Sequence, residues 1–185
     1  MRIITGTAKG LKLKTPKGFD TRPTGDRVKE SVFSILSGLI NFSEVNVLDI
    51  FAGTGALGIE SLSRGAISAA FIDCATADLI AENLQRAKFQ NFKILRGDFS
   101  KCLKKLSNQN LHFDLIFSDP PYKKNLATAS INLVAEFNLL AKGGLMVVEY
   151  GADEIINSDS LTCLRKINYG HTTALNIYTT KGSEL

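Results

Sequence analysis

From residue 45 onward the chain alternates between two kinds of pattern. Short apolar runs at 45–50, 69–72, 92–95, 113–117 and 145–148 predict strands, and the stretches near 57–64, 76–88, 99–106 and 126–140 carry helical spacing. Strand and helix in strict alternation predict a parallel sheet covered on both faces. The end of the chain differs. Runs at 164–169 and 173–180, joined by Gly170-His171-Thr172, predict an antiparallel hairpin on the sheet edge. The start differs too. Arg2-Ile3-Ile4-Thr5 and Leu11-Lys12-Leu13-Lys14 flank a glycine-bounded turn and predict a β-hairpin. Residues 15–25 read as loop. Asp26 is placed to cap a helix over 27–40, with Val28, Val32, Ile35, Leu36 and Leu39 on one face, and Asn41 and Ser43 close it. The division expected is a hairpin-loop-helix extension over 1–43 and an α/β domain over 44–185.

Composition narrows the class. A chain of 185 residues, 44% hydrophobic and 22% charged, fits one soluble domain that needs no cross-links. Three cysteines without a C-x-x-C pair, and two histidines far apart, indicate neither a disulfide framework nor a metal site. No run of 18 apolar residues and no signal-peptide stretch occur, so a cytoplasmic protein is expected. The net charge of +4 is mild, but its distribution is not. Residues 1–30 hold eight basic and three acidic residues, whereas the other 155 hold 14 and 15. The surplus reads either as a solvated tail or as an arm that grips phosphates.

Three positions carry candidate chemistry. Asp49-Ile50-Phe51-Ala52-Gly53-Thr54-Gly55-Ala56-Leu57-Gly58 lies where the first parallel strand turns into its helix. Glycines there let a backbone approach a ligand, although tight strand-helix turns need glycine in any case. Asp73 ends the next strand, 20 residues after Gly53, where a carboxylate takes the hydroxyls of a ribose. Asp98 follows the third strand. It is placed either to bond an adenine amino group, with Cys74 and Phe99 beside the ring, or to cap the next helix. The most specific position is Asp119-Pro120-Pro121-Tyr122, after the fourth strand. Two prolines fix the backbone, so the Asp119 carboxylate and the Pro120 carbonyl can accept from one NH₂ group, and Tyr122 offers a face for stacking a base.

The Asp119-Pro120-Pro121-Tyr122 motif resembles that of S-adenosylmethionine-dependent amino-methyltransferases, and the glycine motif resembles their cofactor loop with Asp49 at its acidic position. Arg2-Ile3-Ile4, Gly10-Leu11-Lys12-Leu13, Arg22-Pro23-Thr24, Asp26-Arg27-Val28-Lys29-Glu30 with Phe33, and the stretch from Asp49 to Gly65 resemble the bacterial 16S rRNA guanine-N2 methyltransferase family. Gly25 stands where Thr or Ser is more usual, and Tyr122 where Phe often is. The resemblance implies a Rossmann-like class I methyltransferase fold, with a mostly parallel seven-stranded sheet, helices on both faces and a C-terminal antiparallel hairpin. It implies S-adenosylmethionine held by Asp49, Phe51, Gly53, Thr54, Gly55, Asp73, Cys74, Asp98 and Phe99. Methyl transfer at the Asp119-Pro120-Pro121-Tyr122 motif follows, with no metal. Arg2, Lys9, Lys12, Lys14, Arg22, Arg27, Lys123 and Lys124 are the expected RNA contacts, and a monomer acting on 16S rRNA or the small ribosomal subunit is the expected state. The rivals are an adenine-N6 methyltransferase of DNA or RNA, for which 185 residues leave no target-recognition domain, and an NAD(P) oxidoreductase, which leaves the Asp119 motif without a role. A non-catalytic rRNA assembly factor is the third.

Overall fold

The computed structural model describes residues 1–16, 23–122 and 124–183. Helix α1 (Pro23–Ser37) precedes the alternating part, which runs β1 (Asn46–Ile50), α2 (Ala56–Ser63), β2 (Ser68–Asp73), α3 (Ala77–Arg86), β3 (Phe92–Arg96) and α4 (Phe99–Ser107). It continues with β4 (Phe113–Ser118), α5 (Leu126–Glu136), β5 (Leu140–Gly151), β6 (Thr162–Tyr169) and β7 (Thr173–Thr179). One sheet holds all seven strands in the order β3-β2-β1-β4-β5-β7-β6. β1 to β5 pair in parallel, and β7 enters antiparallel between β5 and β6. This is the expected class I methyltransferase architecture. The central strands are buried on both faces, which is why β1 and β4 read as nearly continuous apolar runs. β6, at the rim, is mostly exposed.

The sheet separates two cores. One, with Phe33, Phe71 and Phe117 at its centre, lies under α1, α2 and α3 and also takes in Ile3 and Leu13. The other, around Leu103, Ile116 and Ile131, lies under α4 and α5. The N-terminal segment therefore shares a core with the sheet.

Three expectations are corrected here. The N-terminal hairpin is reduced to a single bridge between Arg2 and Lys12, with Ile3 N–H donating to the Leu11 carbonyl (2.9 Å). Its ladder stops because the next donors go elsewhere. The N–H groups of Ile4 and Thr5 donate to the Glu60 carboxylate on α2 at 2.8 and 3.1 Å. Gly6 then passes so close to α2 that a Cβ would lie 1.7 Å from the Ser63 carbonyl oxygen. Helix α1 starts three residues before Asp26, at Pro23. Proline is pre-organised for a first helical position, so Asp26 sits inside the first turn rather than capping it. Helix α5 ends at Glu136, not 140. Phe113 N–H donates to the Leu139 carbonyl (2.8 Å) and Phe113 pairs with Leu140, so the apolar residues that continued the helical spacing are drawn off into β5.

Candidate active site

The loops after β1 and β4 leave the sheet at its carboxyl edge, where open α/β sheets bind ligands. Asp49 stands near the end of β1, 2% exposed, with Oδ2 accepting from Gly58 N–H at 2.9 Å. Burial pushes its carboxyl up to about 7, against the Gly58 hydrogen bond and helped by the nearby charge of Asp73. The loop then needs positive φ at three positions. Phe51 (+60°) pays that strain without being glycine, while Gly53 (+56°) and Gly55 (+78°) adopt it freely. A Cβ on Gly53 would meet nothing nearer than 4.0 Å, so the backbone there borders open space. Gly55 instead faces the core, where a Cβ would lie 3.1 Å from Ile59 Cδ1.

Asp73 ends β2 as expected, but it is occupied. Oδ1 accepts from Ala75 N–H (2.8 Å) and Thr76 N–H (2.9 Å), and Oδ2 from Gly53 N–H (3.0 Å). Burial raises its carboxyl, yet these N–H groups outweigh that and hold it below the ordinary value. Asp73 thus ties the glycine loop to β2. Asp98 is the N-cap of α4, its Oδ1 accepting from Lys101 N–H (3.2 Å) and Ser100 Oγ (2.5 Å). Cys74 is exposed. The rings of Phe51 and Phe99 meet at 4.8 Å between centroids, joining the loop after β1 to the first residue of α4 by an aromatic contact.

Across the opening, Ser118 at the end of β4 is fixed by a 2.8 Å hydrogen bond with Ser130 of α5. Asp119 follows and projects into a cavity of ≈ 570 Å³. It meets solvent there, but protein crowds it on the other sides. That crowding, with Glu149 and then Asp49, lifts its carboxyl well above the ordinary value. Tyr122 is 36% exposed, and its hydroxyl donates to Glu149 Oε1 at 3.0 Å and lies 3.2 Å from Thr173 Oγ1. Asp49, Phe51, Gly53, Thr54, Asp119 and Tyr122 all line this cavity. Gly55, Asp73, Cys74, Asp98, Phe99, Pro120 and Pro121 do not.

Among the lining residues that sequence reasoning passed over are Glu149, Thr173 and Lys29. Glu149 had the signal that singled out Asp73 and Asp119, a carboxylate following a short apolar run of sequence. Lys29 is 3% exposed, with Nζ 2.5 Å from the Arg2 carbonyl and 3.3 Å from Glu60 Oε2. Burial lowers its ammonium, partly offset by Glu60. The basic surplus of the first 30 residues is therefore not all at the surface. Arg2, Lys9, Lys12, Arg27 and Lys124 are exposed. Lys14 is exposed as well but pairs with Glu82. Arg22 and Lys123 lie outside the described residues.

Comparison with known proteins agrees with this geometry. The family described as Conserved hypothetical protein 95 matches residues 1–179. The ribosomal RNA small subunit methyltransferase D of Haemophilus influenzae is 39% identical over 175 residues, covering 92% of this chain and 89% of its own. The protein of the same name in Escherichia coli strain K12 is 36% identical over 151 residues, 80% and 74% of the two chains. The solved structure of yhhF from Escherichia coli superposes with a TM-score of 0.80 at 30% identity, over 97% of this chain and 98% of that one. Among the described residues no helix is long and apolar enough to cross a membrane. The chain belongs to the Conserved hypothetical protein 95 family and is related to proteins named as small-subunit ribosomal RNA methyltransferases.

Proposed function

We propose that this protein transfers a methyl group from S-adenosylmethionine to the exocyclic N2 of one guanine in 16S rRNA, as a cytoplasmic monomer acting on the free rRNA or on a small-subunit particle. One observation carries the reading: Asp119 and Tyr122 open into the same cavity as the glycine loop after β1, so a donor and a base would meet there. The loop fits the donor. Gly53 borders open space, and buried Asp49 behind it suits a cation. Asp49, Phe51, Gly53 and Thr54 would hold S-adenosylmethionine, with Gly55 shaping the turn. The free lone pair of Asp73 Oδ2 would take a ribose hydroxyl, and Cys74, Asp98 and Phe99 would lie around the adenine.

S-adenosylmethionine, when bound, supplies a methyl group already activated on a sulfonium. The chain's task is to position the acceptor. The guanine amine is a weak nucleophile because its lone pair is delocalised into the ring. Asp119 and the Pro120 carbonyl would accept its two N–H bonds and aim the lone pair at the methyl. Tyr122 would stack on the flipped base, whose extrusion costs a few kcal/mol. As the new N–C bond forms, the methyl–sulfur bond breaks to leave the neutral thioether S-adenosylhomocysteine, and the nitrogen must lose a proton. A carboxylate lifted as Asp119 is holds that proton well and passes it to water. Positioning and charge placement do the rest. Arg2, Lys9, Lys12 and Arg27, with Lys14, Arg22, Lys123 and Lys124, would contact RNA phosphates.

The test is labelled-methyl transfer to small-subunit particles, free 16S rRNA and DNA, followed by digestion to nucleosides. N2-methylguanosine from the ribosomal substrates is expected. N6-methyladenosine, or label in DNA alone, overturns the reading.

A further inference from the structure

Glu149 has no part in the chemistry above, yet it lines the same cavity as Asp119. β4 and β5 run parallel, with Phe117 beside Val147 and Ser118 beside Val148. The next pair, Asp119 just beyond the end of β4 and Glu149 still within β5, therefore stands side by side, about 4.8 Å apart across the strands. Side chains alternate along a strand, so both point to the face that carries Phe117 and Val147, the face of α1 and of the cavity. Two carboxylates thus stand side by side in the wall of one chamber. Glu149 Oε1 accepts from the Tyr122 hydroxyl, so the stacking ring and this carboxylate are held as one unit.

That pair matches one edge of one base. Guanine presents N1–H and N2–H side by side and pointing the same way, two donors for two neighbouring acceptors. A purine with a lone pair at N1 would aim it at a carboxylate. We propose that Glu149 selects guanine by accepting its N1–H while Asp119 accepts the N2–H. Burial lifts the carboxyls of both residues, and Glu149 lifts that of Asp119 further. A guanine edge relieves this repulsion by giving each carboxylate its own hydrogen. Lys29, the only cationic side chain among the described lining residues, is held by Glu60 and the Arg2 carbonyl. The inference rests on the guanine-N2 reading and adds the residue that enforces it.

The test first maps the guanine methylated by the wild-type enzyme, then replaces it with 2-aminopurine by splinted ligation. That analogue keeps the amine at position 2 but carries a lone pair at N1. For the wild type, kcat/KM should fall by roughly 10⁴-fold, the scale on which a site built for a hydrogen bond rejects an analogue lacking it. In Glu149→Gln the side-chain amide turns its NH₂ toward the N1 lone pair. The preference should then shrink at least tenfold, through slower guanine and faster 2-aminopurine methylation. Any intrinsic difference between the two amines is common to both enzymes and cancels in the ratio. An unchanged ratio in the variant, with guanine still methylated by the wild type, overturns the role of Glu149 and leaves the guanine-N2 reading standing. A wild type that methylates no guanine overturns the reading itself. Should the variant not fold, equal wild-type rates on the two bases refute the proposal without it.

Discussion

Asp49 is a buried carboxylate whose only hydrogen bond among the described residues is from Gly58 N–H, and that makes fold stability depend on pH in a calculable way. Its carboxyl lies at about 7 in the fold, against about 3.9 in an unfolded chain. A raised acid favours the folded state while protonated, so stability is lost as the pH climbs from about 4 to about 7 and is level beyond. Between pH 5 and pH 8.5 the loss from this one group has a ceiling of ~3 kcal/mol. Asp49→Asn keeps an oxygen for Gly58 N–H and removes the titration. Its stability should therefore fall less steeply than that of the wild type, the two curves diverging by up to that amount, or roughly 6–12 °C in Tm for a chain of this size. The assay is urea unfolding of both proteins, without cofactor, at pH 5, 6, 7 and 8.5. Asp119 and Glu149 also carry raised carboxyls, so both proteins should lose stability with rising pH; the difference between the curves isolates Asp49. Parallel curves would refute the claim that burial raises the Asp49 carboxyl.

Asp119→Ala should lower kcat for methyl transfer by at least ~10²-fold while S-adenosylmethionine binding by calorimetry is largely retained; full activity removes it from the chemistry. Lys9→Ala with Lys12→Ala should weaken rRNA binding and flatten the log–log salt dependence by about 1 per lysine. Lys14→Ala should have a smaller effect, because Glu82 already holds its ammonium; an equal one would show that this pair does not persist. Gly58→Ala would bring a Cβ to 2.3 Å from Phe71 Cε1 in the core, so thermal melts should show a loss of ~1–3 kcal/mol or more, and an unchanged Tm would contradict the packing.

The sheet and the motif loops were legible in the sequence because central parallel strands are buried on both faces and announce themselves as apolar runs. The same burial explains why Asp49, Asp73 and Asp119 stood out, each a carboxylate at or near the end of such a run. Glu149 follows the apolar run 145–148 in the same way, within β5, and was passed over, since no motif follows it. The boundary of α5 was missed because Leu139 and Leu140 fit a helical stripe and a strand equally well; only pairing with Phe113 decides between them. The arm was read too simply. Charge counts do not tell a solvated lysine from Lys29, which is internal because Glu60 is there to meet it, 31 residues away in the chain. Asp73 shows the converse. Its position was right, but most of its acceptor capacity goes to the loop itself, which spacing alone does not reveal.

Glu60 has a consequence for how the chain is made. It is fully buried and receives Ile4 N–H, Thr5 N–H, Lys29 Nζ and Arg64 Nε. Ile4 precedes it by 56 residues and Thr5 by 55. At a translation rate of ~5–20 residues per second, these first residues emerge roughly 3–11 s before their partner does. During that interval the N-terminal segment has nothing to dock on. A chain truncated before α2 would carry the lysines but not their arrangement, so the arm and the wall of the cavity are completed together or not at all.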